Sequence, residues 1–301
     1  MKLSGSICAL ATPFRGNHAA EVDFDSFGCL IERQLIGGTS ALVVAGSTGE
    51  AAALDESEFS RLVAFASAHV DRRVIVLAGT GQQSTRKTIT QTRRAQSAGC
   101  DAALVVVPPY VRATQEGLVR HFAEVADLGG LPVVLYNVPS RTAGDLLPGT
   151  VARLATHGNI IGIKEAVADP TRMKSLLELR SDRFHVLSGD DSSAASAMLA
   201  GADGMVSVAA NVVPHACATL ARLCAGGYAG QALDLDRKLR ELYELLGVEP
   251  NPIPVKWCLA ELGIGAASLR LPLMGLAPAH HQKARRILAQ LELIEVKGAV
   301  G

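Results

Sequence analysis

Ile160-Ile161-Gly162-Ile163-Lys164-Glu165 is a stretch in which apolar character runs unbroken and then stops at two charges. Three of its first four residues are β-branched. Such a run suits a strand covered on both faces, as in a parallel sheet, and not the alternating pattern of a strand with one wet face. Working outward, seven more short apolar runs repeat the pattern, each bounded by Gly, Pro or Asn. They are Ser6–Leu10, Ala41–Ala45, Val74–Ala78, Ala103–Val107, Val133–Tyr136, Phe184–Leu187 and Met205–Val208.

Helix-period segments lie between these runs. Phe24, Phe27, Ile31 and Leu35 share one face of a segment that stops at Gly37-Gly38. Phe59, Leu62, Val63, Ala66 and Val70 share another, opened by Asp55 and Glu58 in capping-box spacing. Ser84 and Thr114 are placed to cap helices that end at Gly99 and at Gly129-Gly130. Strand and helix in alternation predict parallel βαβ units, and eight strands within about 210 residues predict a closed (β/α)8 TIM barrel of the α/β class. The rival is an open doubly wound sheet. A nucleotide-binding sheet of that kind would carry G-x-G-x-x-G after its first strand, whereas here that strand runs into Ala11-Thr12-Pro13-Phe14. Gly79-Thr80-Gly81 lacks the third glycine. After Val208 helical spacing continues without a further strand, as in Leu235, Leu239, Leu242, Leu245 and Leu246. The expected organisation is a barrel over residues 1–225 and a helical C-terminal region over 226–301.

Composition bounds the function. Of 301 residues, 49% are hydrophobic and only 4% aromatic, so a large core must be built from Val, Leu, Ile and Ala. Twenty-nine basic residues balance 29 acidic ones, which leaves no electrostatic footprint for nucleic acid. No apolar stretch reaches the roughly 18–20 residues of a membrane span, and Met1–Pro13 has no long apolar signal core. The six cysteines form no C-x-x-C pair and the eight histidines no ligand spacing, so neither metal nor disulfide framework is expected. A cytoplasmic protein with reduced thiols is the expectation.

In a barrel the C-terminal strand ends carry the chemistry. Lys164 ends its strand, where a desolvated amine favours its neutral, nucleophilic form. It reads otherwise as a strand-end lysine reaching solvent or pairing with Glu165. Ser47 and Thr48 lie in the turn Gly46–Glu50, which suits a small carboxylate or is an ordinary turn before a helix. Tyr136 ends another strand and offers a phenol for proton relay, or a ring for packing. Tyr110 also ends a strand, as a relay, packing or interface residue. Arg141 follows Pro139 on a loop, either clamping a carboxylate in bidentate fashion or solvated. Asp190 and Asp191 lack surrounding ligands and read as polar supports or helix caps.

Together, Gly46–Glu50, Leu131–Thr142, Ile160–Ala166, Ser188–Asp191, Val206–Val213 and Glu249–Trp257 resemble the dihydrodipicolinate synthase family, which includes N-acetylneuraminate lyase. The most specific segments are Tyr136-Asn137-Val138-Pro139-Ser140-Arg141-Thr142 and the run from Glu249 to Trp257. The resemblance spans about Gly5 to Pro278 and implies a (β/α)8 barrel with a helical C-terminal extension. It implies that Lys164 forms a Schiff base with pyruvate, that Tyr136, Ser47 and Tyr110 relay protons, and that Thr48 and the Val206 backbone hold the pyruvate carboxylate. It further implies that Arg141 binds the carboxylate of L-aspartate 4-semialdehyde and that no metal or organic cofactor takes part. Tyr110 resembles a relay tyrosine that enters a neighbouring subunit's site, implying a homo-oligomer, dimer or tetramer. Serine at 47 is also similar to the neuraminate-lyase branch, so a pyruvate-dependent aldolase or dehydratase for sugar acids is the second reading. A non-catalytic ligand-binding barrel is the third. Where lysine-sensitive members place polar and acidic groups, the corresponding positions are Glu56, Phe59, Lys87 and Pro109, so little or no lysine inhibition is expected.

Overall fold

The computed structural model describes residues 1–298; the last three residues of the 226–301 region lie outside the described residues. Eight parallel strands close into a barrel, β1 (Gly5–Ala9), β2 (Ala41–Val44), β3 (Ile75–Gly79), β4 (Ala102–Val106), β5 (Val133–Asn137), β6 (Ile160–Glu165), β7 (His185–Ser188) and β8 (Gly204–Ser207). Each expected strand is present, with ends moved by one residue at most. The barrel shuts where β1 pairs with both β8 and β2, for example Ile7 with Val206 and Cys8 with Leu42.

The helices begin where the capping residues sit. Asp55 and Glu58 complete a capping box on α2 (Glu56–Val70), following α1 (Phe24–Ile36). Ser84 accepts from the Lys87 N–H at the start of α3 (Thr85–Ser97), and Thr114 from the Gly117 N–H at the start of α4 (Gln115–Leu128). The outer ring is completed by α5 (Pro148–Leu154), α6 (Pro170–Leu177), α7 (Asp191–Leu199) and α8 (Pro214–Ala225). Three more helices follow, α9 (Ala229–Leu246), α10 (Ile253–Glu261) and α11 (Pro278–Gly298). Fully buried Leu239, Leu242 and Leu245 of α9 join the same apolar cluster as the barrel's outer face. A two-residue antiparallel ladder, Phe14–Arg15 with Glu21–Val22, was not foreseen and follows β1.

Two cores result. A large one lies between strands and helices, and a smaller one fills the barrel with residues such as Ile7, Val43, Leu77, Leu104 and Val134. One irregularity positions the site. Val133 pairs with Ile160 but Val134 pairs with Gly162, so β6 carries one extra residue, Ile161, against β5. Strict alternation from Ile161 would turn Ile163 inward and Lys164 outward. With the extra residue, Ile161 packs in the barrel interior, Ile163 packs in the outer core, and Lys164 lies opposite Tyr136. Gly162 permits this, since a Cβ there would stand 2.5 Å from the His185 carbonyl oxygen on β7.

Candidate active site

Tyr136 and Lys164 are register partners on β5 and β6, 7% and 6% exposed. The Lys164 Nζ lies over the Tyr136 ring, 4.1 Å from its centroid. Its amine is therefore out of bulk water, beside the phenol-bearing ring. Gly189, just after β7, makes room for the lysine stem, because a Cβ there would come within 2.9 Å of both Lys164 Cγ and Cε.

Glu165 does not pair with Lys164. It points into a separate buried network, where Asn137 Nδ2 donates to both its oxygens at 3.1 Å and Val167 N–H donates to Oε1 at 2.8 Å. Arg172 bridges Glu165 at 3.3 Å and Asp145 at 2.5 Å. Asn137 Nδ2 also donates to Asp145, and Asn137 Oδ1 accepts from the Leu146 N–H. Burial pushes the Glu165 carboxyl above the usual range, opposed by these hydrogen bonds and by the guanidinium. The network locks β5 to β6 one residue beyond Tyr136 and Lys164, and so fixes their facing geometry.

Thr48 is buried, and its Oγ1 accepts from Asn251 Nδ2 at 2.9 Å. With that lone pair filled, the hydroxyl hydrogen is free to be given to a ligand. The exposed Arg141 donates through Nη2 to the backbone carbonyl of the same Asn251, at 3.1 Å. One residue thus ties together the two proposed carboxylate holders, which are 93 positions apart in sequence, the difference between residues 48 and 141. Val206 is buried on β8 within the barrel's interior cluster, which also contains Tyr136.

The remaining expected residues are placed differently. Ser47 is exposed on the turn, and Tyr110 is 89% exposed with a left-handed φ of 75°. Among the described residues of a single chain, no hydrogen bond joins either hydroxyl to Tyr136. Asp190 caps α7 by accepting from the Ser193 N–H. Asp191 accepts from the N–H groups of Val208 and Ala209, shaping the segment after β8. Its carboxyl is raised, chiefly by burial.

Sequence reasoning gave no role to Asn251, Gly189, Arg172 or Lys256. Lys256 interrupts the apolar run Ile253-Pro254-Val255-Lys256-Trp257-Cys258, which is a signal that a buried partner must exist. Among the described residues no group of His, Cys, Asp and Glu side chains is arranged to hold a metal ion, no helix is long and apolar enough to cross a membrane, and no two of the six cysteines form a disulfide.

Known proteins resemble the whole of this arrangement. The family model of the dihydrodipicolinate synthetase family matches residues 2–291. A 4-hydroxy-tetrahydrodipicolinate synthase of Xanthomonas campestris is 56% identical over 98% of this chain and 97% of its own. One from Legionella pneumophila is 44% identical over 97% and 99%. Among solved structures, the dihydrodipicolinate synthase of Acinetobacter baumannii in complex with pyruvate superposes with a TM-score of 0.93 at 40% identity, covering 96% of this chain and 99% of that one. The Aquifex aeolicus enzyme gives 0.93 at 38% identity, covering 97% and 99%. A match along nearly the full length, on the same closed barrel, shows that the chain belongs to the dihydrodipicolinate synthetase family.

Proposed function

We propose that the chain is a 4-hydroxy-tetrahydrodipicolinate synthase that condenses pyruvate with L-aspartate 4-semialdehyde through a Schiff base on Lys164. The carrying observation is the buried Lys164 amine lying on the Tyr136 ring inside the barrel. The neutral amine adds to the pyruvate ketone, and loss of one water gives the imine. The protonated imine withdraws electrons, so the pyruvate methyl gives up a proton and becomes the nucleophilic carbon of an enamine. That carbon bonds to the aldehyde carbon, and the aldehyde oxygen takes a proton to become the 4-hydroxyl. The amine of the semialdehyde then attacks the imine carbon and displaces Lys164, closing the ring and freeing the lysine.

Tyr136 is the proton carrier closest to the imine nitrogen in this scheme, with Ser47 and Tyr110 as relay hydroxyls. Thr48 and the Val206 backbone hold the ketoacid carboxylate, and Arg141 holds that of the aldehyde. No metal or organic cofactor enters a step. The exposure of Tyr110 supports a homo-oligomer in which a second copy completes the relay; sedimentation of the purified protein tests this. The region from residue 226 to residue 298 acts as a helical region apposed to the 1–225 barrel, in a cytoplasmic enzyme.

Borohydride reduction in the presence of pyruvate should leave a covalent adduct on Lys164, read by peptide mass spectrometry and absent in Lys164→Ala. A coupled assay with L-aspartate 4-semialdehyde should show turnover. An adduct without turnover would favour a sugar-acid aldolase, and no adduct at all would leave a ligand-binding barrel.

A further inference from the structure

Thr48 sits in a turn whose shape is imposed from outside. Ala45 and Glu50, which bracket it, both take left-handed backbone angles, with φ of 53° and 52°. Residues with side chains keep such angles where the surroundings hold them. Three consecutive residues of the turn are held. Asn251 Nδ2 donates to Thr48 Oγ1 at 2.9 Å, Thr12 Oγ1 donates to the Gly49 carbonyl at 2.7 Å, and Lys256 Nζ donates to Glu50 Oε1 at 2.5 Å. Glu50 Oε2 accepts from the Arg270 N–H at 3.1 Å, so both carboxylate oxygens are used.

The Lys256–Glu50 pair is almost wholly dry, with the two residues 2% and 4% exposed. The ammonium covers the Phe14 ring at 4.1 Å from its centroid. Burial pushes Lys256 down to about 8, against the opposing pull of Glu50. A pair of buried charges is a weak source of stability, since desolvation offsets the attraction and an apolar pair of similar size does as well. What the pair supplies is direction. The carboxylate is satisfied in one orientation only, which fixes the backbone of the residue two places after Thr48. The cation comes from α10, and the turn leading directly into α10 delivers Asn251 to the Thr48 hydroxyl.

We propose that Lys256 is a positioning residue for the ketoacid subsite: through the Glu50 carboxylate it sets the Ser47–Glu50 turn so that the Thr48 hydroxyl meets the carboxylate of the ketoacid. This rests on the reading of the barrel interior as a pyruvate site.

Two variants test it, Lys256→Met and the double variant Lys256→Met with Glu50→Gln, which leaves no unpaired buried charge. Each is measured for melting temperature, for KM toward pyruvate and toward the aldehyde, and for the pyruvate concentration that half-saturates borohydride trapping on Lys164. Positioning predicts that pyruvate KM and the half-trapping concentration rise about tenfold in both variants while aldehyde KM stays within about twofold. Lys256→Arg should restore most of the loss. A pair that only stabilises would lower the melting temperature and leave half-trapping at the wild-type concentration, which overturns the proposal. Failure of both variants to fold overturns it equally, because the pair is then structural. Absence of trapping in the wild-type protein would instead sink the pyruvate reading itself.

Discussion

Gly189 lies against the stem of Lys164 so closely that any side chain there would collide with it, at 2.9 Å from both Cγ and Cε. The two nearest obstructed atoms belong to the Lys164 side chain itself, with the Glu165 carbonyl oxygen next at 3.1 Å. Gly189→Ala should therefore displace the amine from the Tyr136 ring while the barrel stays intact. Imine trapping should slow by about tenfold or more, equivalent to about 1.4 kcal/mol in the barrier. Trapping at the wild-type rate, in a protein with unchanged melting temperature, would show that the stem has another way past.

Arg172 is the cation of the network around Glu165, and its side chain is only 11% exposed. Arg172→Leu would strand a buried carboxylate, with an expected loss of about 3–5 kcal/mol in urea unfolding at neutral pH. Adding Glu165→Gln removes the stranded charge and should recover at least half. A loss below about 1 kcal/mol for the single variant would mean that the hydrogen bonds from Asn137 and Val167 suffice alone.

His121 is 5% exposed, with Nδ1 hydrogen-bonded to Thr85 Oγ1 at 3.0 Å and a buried Nε2 that has no partner. Burial pushes it from its ordinary 6.5 down to about 4. Between those values the unfolded chain binds more protons than the folded one, so stability rises with pH through the window and is lost as pH falls from 6.5 toward 4. The contribution is about 3 kcal/mol at most. Unfolding free energies of the wild type and His121→Gln, compared from pH 7 to pH 4, should converge on acidification. Parallel curves would remove His121 as the cause.

Sensitivity to L-lysine should be weak or absent. Phe59 is 2% exposed, Glu56 is already engaged by Arg94 on the neighbouring helix, and Lys87 adds an exposed positive charge that repels a cationic ligand. Initial rates at millimolar L-lysine should match those without it. Half-maximal inhibition in that range would show that the ligand finds acidic partners elsewhere in the assembly.

The eight strands and their order were legible because parallel strands buried on both faces leave unbroken apolar runs, and because caps such as Asp55, Ser84 and Thr114 mark where helices start. Lys164 was legible for a related reason: a charge at the end of such a run stands out. The ladder at Phe14–Arg15 and Glu21–Val22 was missed because two-residue strands carry no periodicity. Ser47 and Tyr110, the two other hydroxyls of the expected relay, lie exposed in a single chain, and their partners are not legible from one copy of the sequence.

By itself the amino-acid sequence determined the closed parallel barrel, the helical C-terminal region and the strand ends that carry the candidate site. Local periodicity and capping encode these, and they act within a few residues of one another. The tertiary structure alone decided that Lys164 faces inward, through one extra residue opposite β5, and that Glu165 faces away from it. It alone joined Asn251 to Thr48 and Lys256 to Glu50, across more than 200 positions of chain. The parity of a strand and the partner of a buried charge depend on what packs against them in space, and no local pattern carries that information.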